Sequence, residues 1–555
     1  MTSAEPSHRL FRGPFAPLRE PVFRRIWTSS VLANLGQLIL GVGAAWEMTR
    51  LSSSPTMVAS VQTAMMLPLM LVAIPAGAVA DIFDRRRIAM AGLSFAMASA
   101  AVLTALSALG QATPWLLLVF CSLIGAGVAF YSPAWQASIS EQVDGQHLPA
   151  AIALGTVSYN VARSFGPALG GAIVLVAGAQ AAFAINAVFY LPLLVAFMLW
   201  QRRKAPSRLP PEQIHRAIVS GARYAFHAAQ IRVVLLRAFL FGLASAAPSA
   251  LAPLVARDLL GGNAATFGLL LGASGVGAVT GALMVSFATL RLGAQRLATV
   301  ASLLAAFGLV VAGLSRSVPL TCAALMLTGG ATIITIALMN VSVQLVAPRW
   351  VTARVLSLFT ACLTGGIALG AVIWGAVSAT WSVDVALDAS AASLASLPVL
   401  TAMMPLGQAN SAGAEPFALT NEPEVALALT NRSGPVVIEV DYEVDPEHAR
   451  EFYASMLDVQ TSRLRNGAFD WSLSRDIADA ALWTERYLCP TWGDYLRMRD
   501  RFTQADREAH ERARAFVREP EELRIRRRLE RPFGSVRWRA SSPDPQQEAM
   551  NYIGP

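Results

Sequence analysis

The sequence predicts an all-α membrane protein with twelve transmembrane helices in two six-helix halves, followed by a cytosolic α+β ferredoxin-like domain. Three observations predict this class. Of the 555 residues, 54% are hydrophobic and 14% are charged, whereas soluble proteins carry about 25% charged residues. The uncharged segments Met57–Ala80 and Ile88–Gly110 each exceed the ~20 apolar residues that a helix needs to cross a bilayer. Beyond Leu406 the composition changes, and charged residues become frequent.

Apolar segments of this kind recur along the chain, and the last is the weakest because it contains Asp388. The twelve predicted spans are Phe23–Met48, Thr56–Ala80, Ile88–Gly110, Trp115–Gln136, Ala150–Ala177, Ala182–Trp200, Val233–Val255, Ala265–Leu290, Leu297–Leu314, Pro319–Val346, Val355–Thr380 and Val385–Leu406. The predicted domains are a cytosolic tail (1–22), a first transmembrane half (23–200), a cytosolic linker (201–232), a second half (233–408), a linker (409–434), an α+β domain (435–532) and a tail (533–555).

The arginines are distributed unevenly between the predicted loops. With the N-terminus inside, the outer loops contain only Arg50, Arg257 and Arg316, and the inner loops contain most of the others. Arginine-rich loops stay in the cytoplasm, so we expect a multi-pass protein of a bacterial inner membrane with both termini cytoplasmic. The same bias accounts for the net charge of +8 without a nucleic-acid partner.

The loop between the second and third spans is the first candidate site, a cytoplasmic gating loop. Asp81 ends a helix, where the macrodipole disfavours a negative charge, and arginines that could compensate it follow one turn later. The pattern Gly77-x-x-x-Asp81-x-x-x-Arg85-Arg86 resembles the signature loop of the major facilitator superfamily. Asp84 stands where the common pattern has Gly, and Asp-Arg-Arg-Arg is similar to the enterobactin-exporter-like branch. The candidate residues are Gly77, Asp81, Asp84, Arg85, Arg86 and Arg87.

This resemblance implies two halves that rock around a central substrate cavity, and a loop that latches neighbouring helices in the outward-open state. A second motif lies in the fifth span and resembles the motif of exporters (antiporters) in the superfamily. Its glycines allow another helix to pack closely, and Pro167 kinks the helix, so the span could pivot and seal the cavity. The motif comprises Asn160, Arg163, Gly166, Pro167, Gly170 and Gly171.

Arg163 lies near the middle of the fifth span, where a charge costs at least ~2.5 kcal/mol. Either it bonds backbone carbonyls and Asn160, or it faces the cavity and attracts an anionic substrate. The resemblance implies a proton as coupling ion, with Glu47 as the candidate carrier. Arg237 lies one turn into the seventh span, so its side chain is expected to reach the inner membrane surface. Further polar side chains could line the cavity or bond a neighbouring helix: Asn34, Gln37, Gln62, Gln136 and Asn340.

The last part of the chain predicts a β-α-β-β-α-β order, as in a ferredoxin-like sandwich. The predicted elements are strands Val436–Val444, Ala468–Ser474, Ala480–Leu488 and Arg524–Leu529, and helices Pro446–Arg463, Tyr495–Phe502 and Ala505–Val517. The order resembles the dimeric α/β-barrel domains of the antibiotic-biosynthesis-monooxygenase type, which implies dimerisation through this domain. The cysteines and histidines have no metal-ligand spacing, so we expect no metal and no cofactor.

These patterns together predict a secondary active transporter and not an enzyme. The expected partners are the lipid bilayer and a small amphipathic substrate, such as a siderophore or a drug-like metabolite, which is anionic if Arg163 faces the cavity. Two alternatives stay open. The transporter could move lipids or lysophospholipids, or the spans could tether an enzyme whose activity lies in the C-terminal domain.

Overall fold

The computed structural model describes residues 13–82, 84–144, 147–201, 214–348, 351–403, 417, 425–427, 429–518 and 523–530. The chain forms two compact units. The helical unit comprises Met1–Ile218, Val233–Val341 and Leu356–Leu406, and the C-terminal unit comprises Val219–Arg232, Ser342–Val355 and Gly407–Pro555.

Thirteen α-helices precede the first strand in the described part of the chain. They are α1 (Pro21–Leu51), α2 (Pro55–Ile82), α3 (Arg85–Ala108), α4 (Pro114–Ser138), α5 (Leu148–Leu199), α6 (Ile214–His227), α7 (Ala229–Ala244), α8 (Ala247–Leu254), α9 (Ala264–Leu292), α10 (Ala294–Leu314), α11 (Val318–Val346), α12 (Thr352–Thr380) and α13 (Val383–Met403). A π-helical turn, Val255–Leu259, extends α8, and a 3₁₀ turn, Ile139–Glu141, follows α4.

Ten helical stretches of the described residues are long and apolar enough to cross a membrane, whereas the sequence predicts twelve spans. Two features account for the difference. The stretch Ala150–Leu199 in α5 is one of the ten and covers two predicted spans, and α13 is not among them.

Gly178 interrupts α5. Its φ of 77° and ψ of 170° lie outside the helical region, in a region that glycine adopts at little cost. A straight helix of the 52 residues in α5 would be about 78 Å long, far more than the ~30 Å hydrocarbon core of a bilayer. The break therefore divides α5 into a first segment, 148–177, and a second segment, 179–199.

Contacts between helix ends define two ends of the helical unit, since Glu141 after α4 and Phe197 near the end of α5 both contact the start of α3. The end that contains the α2–α3 loop is called the loop face, and the opposite end is called the far face. Glycines allow close packing between neighbours: a Cβ built on Gly92 of α3 would lie 2.7 Å from the carbonyl oxygen of Gly127 in α4, and the reverse distance is also 2.7 Å. Because a methyl group would fit at neither position, α3 and α4 approach with backbone against backbone.

The C-terminal unit contains a four-stranded antiparallel sheet in the order β2-β3-β1-β4. Its elements are β1 (Val436–Glu443), α14 (Ala449–Asn466), β2 (Phe469–Arg475), β3 (Leu482–Cys489), α15 (Trp492–Asp500), α16 (Gln504–Arg514) and β4 (Arg524–Leu529). The four predicted strands are thus confirmed to within two residues at each end. The first predicted helix begins as a 3₁₀ turn, Pro446–His448, and α15 begins at Trp492 instead of Tyr495.

One face of this sheet forms the core of the C-terminal unit. Alternate residues of β1, Ile438, Val440 and Tyr442, are buried with Phe452 and Met456 of α14. The opposite face is polar, because Arg526 of β4 makes ion pairs with Glu439 at 3.6 Å and Asp441 at 2.6 Å. Dimerisation through this unit stays a prediction.

A carboxylate lies within the core. Glu485 of β3 is fully buried and accepts hydrogen bonds from Tyr442 at 2.9 Å, Arg463 at 3.0 Å and Trp471 at 2.9 Å. Burial alone would raise the pKa of the Glu485 carboxyl, but the Arg463 guanidinium and these hydrogen bonds hold that pKa below its ordinary value. Tyr442 and Trp471 therefore stabilise the buried Glu485 carboxylate by donating hydrogen bonds to it.

Candidate functional site

Asp84 in the predicted gating loop is the N-cap of α3. Its carboxylate accepts hydrogen bonds from the backbone N–H groups of Arg86 at 3.0 Å and Arg87 at 3.3 Å. These donors have no partner inside the helix, and an aspartate at this position stabilises a helix by roughly 1 kcal/mol relative to alanine. The residue that departs from the superfamily pattern therefore starts the third span.

Arg85 joins α3 to the end of α4. Its Nη1 lies 3.0 Å from Oε1 of Glu141, and the two side chains are 22% and 18% exposed. Glu141 ends the 3₁₀ turn that follows α4. Sequence reasoning did not identify Glu141 as a partner, although an acidic residue in a loop on the same side as Arg85 was the available signal.

Arg86 joins the same loop to the end of α5. Its Nε donates to the carbonyl oxygen of Phe197 at 2.8 Å, and its Nη2 donates to that of Met198 at 2.6 Å. The last carbonyls of a helix lack partners inside it, and a cation is favourable at this negative end of the helix dipole. Arg86 therefore caps the sixth predicted span with both kinds of interaction.

The remaining candidate residues of the loop are Gly77, Asp81 and Arg87. The α2 backbone continues through Gly77 and Asp81 to Ile82, but the side chain of Asp81 lies outside the described part of the structure. Arg87 is exposed. Within the described part of the gating loop, then, Arg85 and Arg86 connect α3 to its neighbours, and Asp84 caps α3 itself.

In the fifth span, two motif glycines face α1. A Cβ on Gly166 would lie 3.0 Å from Cβ of Leu38, and one on Gly170 would lie 3.1 Å from Cα of Ile39. These positions leave little room for a side chain, so α1 lies directly on the first segment of α5.

Gly171 faces α9 instead, and α9 belongs to the second half of the helical unit. A Cβ on Gly171 would lie 2.6 Å from the carbonyl oxygen of Ala264 and 2.8 Å from Cα of Gly268. In return, a Cβ on Gly268 would lie 2.7 Å from the carbonyl oxygen of Pro167. The glycine-rich motif of α5 thus provides a surface on which one half contacts the other.

Further contacts join the two halves toward the far face. The rings of Trp46 in α1 and Phe267 in α9 stack with centroids 6.3 Å apart. Arg257 donates from Nη1 to the carbonyl oxygen of Thr49 at 3.2 Å. Because α1 ends and α9 begins at this end of the bundle, these contacts join the two halves at the far face.

Two threonines of α2 extend this contact to α12. The hydroxyl of Thr56 donates to the carbonyl oxygen of Gly375 at 3.4 Å, and that of Thr63 donates to Ala368 at 2.8 Å. Both threonines lie in the part of α2 that is remote from the loop face.

Arg163 is half-buried and has no hydrogen-bond or ion-pair partner among the residues that the structure describes. The side chain of Asn160, its predicted neighbour, lies outside that part. Gln37 and Gln62 are likewise half-buried, without a hydrogen bond to any described residue. Arg163, Gln37 and Gln62 are thus candidate site residues whose side chains have no hydrogen-bond partner in the described part of the chain.

The other polar candidates have partners. Asn34 donates to the hydroxyl of Ser158 in α5 at 3.1 Å, and Gln136 is exposed and donates to Ser132 of its own helix at 3.4 Å. Asn340 also interacts with another residue. Asn34 therefore stabilises the α1–α5 contact, which is the second of the two roles that the sequence left open.

Glu47, the candidate proton carrier, is 8% exposed, and its carboxylate forms an ion pair with Nη1 of Arg50 at 3.1 Å.

Arg237 differs from expectation: it was expected to reach the membrane surface, but it is 4% exposed and therefore buried. Hydropathy places a residue along a helix but does not show which side faces other helices, so this burial was not predictable.

Among the described residues, no group of three or more His, Cys, Asp or Glu side chains could hold a metal ion.

Comparison with known proteins identifies related chains. The sequence profile of a major facilitator family described as Transmembrane secretion effector matches residues 12–533. The Staphyloferrin A transporter of Staphylococcus aureus is 27% identical over 165 residues, which cover 30% of this chain and 42% of that protein. The uncharacterised MFS-type transporter YfiS of Bacillus subtilis is 26% identical over 193 residues, which cover 33% and 44%. This chain thus spans less than half the length of the curated relatives it matches.

Solved transporter structures share the fold. The nucleoside transporter NupG superposes with a TM-score of 0.53 at 11% identity, over 70% of this chain and 99% of that one. A bacterial homologue of the human lysosomal transporter Spinster, in an inward-facing and unoccupied conformation, superposes with a TM-score of 0.55 at 15% identity, over 70% and 95%. At these identities the likeness concerns the fold alone.

Proposed function

Because the chain belongs to the Transmembrane secretion effector family of major facilitator transporters, we propose that it is a secondary active exporter of a small amphipathic anion. The observation that carries this proposal is the contact of Gly171 with Gly268 at a backbone distance. This contact supports a role for the exporter-like motif at the boundary between the two halves, where alternating access requires a surface that opens and closes.

The membrane topology is part of the proposal. The break at Gly178 supports two crossings by α5, and α13 supplies a further crossing, which gives twelve spans. The arginine-rich loops favour a cytoplasmic loop face and cytoplasmic termini. In this orientation the joined far face is the outer one, which supports an inward-facing state.

Export then requires the far face to open. Gly171 and Gly268 separate, together with Trp46 and Phe267, while the Arg85–Glu141 and Arg86–Phe197 contacts keep the inner ends of the first half together. Only a residue without a side chain allows the closed contact, and the closed contact is needed once in every cycle. The motif therefore serves a conformational role.

The proposed substrate is anionic because Arg163 is a half-buried cation without a partner among the described residues. Such a charge is costly in a membrane unless it faces a cavity or a counter-ion. Gln37 and Gln62 could add hydrogen bonds. The matched relative that transports staphyloferrin A favours a siderophore-like substrate, and a proton could couple through Glu47 if the Arg50 ion pair opens.

The test is efflux of a substrate panel from cells that express the wild type, Arg163→Gln or Arg163→Lys. The panel contains a catecholate siderophore, a neutral amphiphile of similar size and a lysophospholipid. The control variant is Arg296→Gln, which removes an exposed arginine at the start of α10. We expect Arg163→Gln to abolish efflux of the anion alone, with partial retention by Arg163→Lys.

The other outcomes decide between the alternatives. Equal loss of all substrates in Arg163→Gln, with normal membrane insertion, would make Arg163 structural and remove the case for an anion. Efflux of the lysophospholipid alone would favour a lipid transporter. No efflux of any compound by the wild type would favour a tethered enzyme.

The C-terminal unit belongs to the proposal as an accessory domain. Its strand order, β2-β3-β1-β4, with α14 after β1 and two helices after β3, supports a ferredoxin-like domain similar to the monooxygenase-type barrels. We assign it no catalytic step.

A further inference from the structure

A cavity of about 360 Å³ lies within the C-terminal unit, between the core face of the sheet and the helices that cover it. Val440 and Tyr487 contribute from the sheet, Arg463 from α14, Tyr495 from α15 and His510 from α16. Small-molecule sites generally occupy about 300–1,000 Å³. The cavity therefore has room for one small ligand.

The charge of the cavity wall is strongly positive. Arginines of three helices and one strand line it, whereas Glu511 is the one carboxylate among the lining residues: Arg463, Arg499, Arg507, Arg514 and Arg527. Arg463 is neutralised by Glu485 at 3.0 Å, and Arg507 is neutralised by Glu511 at 2.6 Å.

Two of these arginines have no acidic partner among the described residues. Arg527 donates from Nε to the Tyr495 hydroxyl at 2.8 Å, a neutral partner that leaves the guanidinium charge uncompensated. Arg514 is exposed on α16 and has no ion pair with any described residue. Together they provide a counter-charge for an anion such as a carboxylate, which arginine binds with two parallel hydrogen bonds.

His510 contributes a buried hydrogen-bond acceptor to the cavity. Its Nδ1 lies 2.7 Å from the carbonyl oxygen of Asp506; a carbonyl can only accept, so Nδ1 carries the proton and Nε2 carries a lone pair. Burial and the nearby Arg463 lower the pKa of His510 to about 4, which keeps the ring neutral. Nε2 is buried and has no hydrogen-bond partner among the described residues, so a ligand that donates a hydrogen bond would satisfy it.

Aromatic rings complete the wall. Tyr487 lies under the Arg463 guanidinium at 4.5 Å, and Phe502 contacts the His510 ring with centroids 5.1 Å apart. Phe417, from the segment that follows α13, donates its backbone N–H to Phe502 at 2.8 Å and lies 4.5 Å from the Arg507 guanidinium. Flat, polarisable walls of this kind suit an aromatic ring.

We propose that this cavity is a binding site for a hydroxyaryl carboxylate, an aromatic acid that also carries a hydroxyl donor. The carboxylate lies against Arg514 and Arg527, the ring lies between the aromatic side chains, and the hydroxyl donates to Nε2 of His510. All of the lining residues belong to the C-terminal unit, and the proposal does not depend on the direction of transport.

The test is equilibrium dialysis of the full chain in detergent against labelled 3-hydroxybenzoate. Benzoate, which lacks the hydroxyl, and 3-hydroxybenzamide, which lacks the charge, serve as competitors. We expect each competitor to bind about tenfold more weakly, as for the loss of one charged or buried hydrogen bond. His510→Phe should make 3-hydroxybenzoate and benzoate equal, because only the hydroxyl contact is lost.

The variants locate the site. Arg514→Gln, on the exposed side of α16, should weaken binding of 3-hydroxybenzoate several-fold without affecting folding, and Arg527→Lys should weaken it less than Arg527→Gln. The matched control is Arg512→Gln on the same helix, whose side chain pairs with Asp458 and does not line the cavity.

Three results would overturn the proposal. The first is the absence of saturable binding to the wild type, and the second is equal binding by wild type and Arg514→Gln. The third is binding lost in Arg163→Gln but retained in Arg514→Gln and Arg527→Gln, which would assign the ligand to the transport cavity instead.

Discussion

Nη1 of Arg85 lies 3.0 Å from the Glu141 carboxylate, so the start of α3 is joined to the end of α4. The neighbouring Arg86 caps α5 from the same turn. Two consecutive arginines thus fasten three helix ends of the first half to one another. The α2–α3 loop therefore joins the ends of α3, α4 and α5 at the loop face.

The first prediction concerns this ion pair. Arg85→Gln removes the pair, which is half-buried and worth about 1 kcal/mol, and should change the balance of conformations about fivefold. We expect efflux to fall several-fold, and we expect the charge reversal Arg85→Glu with Glu141→Arg to restore part of it. Efflux in cells with matched membrane levels of each variant measures both effects.

Arg296→Gln is the control for loss of one arginine at the same face, since Arg296 is exposed and makes no ion pair with a described residue. Failure of the reversed pair to recover any efflux would show that the two residues act separately.

The second prediction concerns Gly171. In Gly171→Ala the new Cβ would lie 2.6 Å from the Ala264 carbonyl oxygen, and because backbone cannot move aside, α5 and α9 must separate. Overpacking of this kind costs about 1–3 kcal/mol, so the far face should open. Distances between spin labels at Ser53 and Thr380, in a cysteine-free background, should lengthen.

Gly41→Ala is the matched control in α1. Its Cβ would lie 3.8 Å from Cε of Met65, an ordinary contact, so the same methyl group should leave the distances unchanged. Unchanged distances in Gly171→Ala as well would contradict a closed contact at Gly171.

The sequence predicts the helices well where one physical signal sets their limits. The charged residues of the α2–α3 loop mark the start of α3, which was predicted at Ile88 and is observed at Arg85. The alternation of apolar residues marks β1, which was predicted as Val436–Val444 and is observed as Val436–Glu443. These signals are local. The break at Gly178 also coincides with a local signal, since the four residues between the fifth and sixth predicted spans include this glycine and Gln180.

The contacts of the site were less predictable because they depend on which helices become neighbours. Glycine spacing predicts that the fifth span packs closely, but it does not distinguish α1, which contacts Gly166, from α9, which contacts Gly171. For the same reason Glu141 was not identified as the partner of Arg85, and Arg237 was expected at the surface. A single sequence carries little information about pairs that are distant along the chain.

The third prediction concerns the linker helix α6, which belongs in part to the C-terminal unit. The Arg465 guanidinium lies 5.6 Å from the centre of the Tyr224 ring, and Arg223 donates to the carbonyl oxygen of Gly467 at 3.0 Å. Tyr224→Ala should release residues 219–227, because it removes a buried ring and a cation–π contact worth about 0.5–2 kcal/mol. Hydrogen exchange of that segment in the full chain should accelerate about tenfold.

Phe226→Ala is the control on the same helix, since Phe226 is 70% exposed and its loss should leave exchange unchanged. If both variants accelerate exchange equally, helix propensity rather than docking would determine the stability of α6.

The fourth prediction concerns acid. Burial and Arg463 lower the pKa of His510 to about 4, whereas an unfolded histidine has a pKa near 6.5. Between these values the unfolded chain binds the extra proton and the folded unit does not, so stability falls as the pH decreases from about 6.5 to 4. Glu485 and Asp506 have lowered pKa values, so their contribution is lost only below the ordinary carboxyl pKa of about 4.

In the window from pH 7 to pH 5, therefore, His510 should dominate the pH dependence of the C-terminal unit. Hydrogen exchange of β1 and β3 in the full chain, corrected for the intrinsic effect of pH, should show weaker protection at pH 5 than at pH 7. His510→Gln removes the titrating ring and should flatten this dependence, while His448→Gln, at an exposed position before α14, should retain it. A slope that persists in His510→Gln would assign the acid sensitivity to another group, because the carboxylates of this cluster titrate at lower pH.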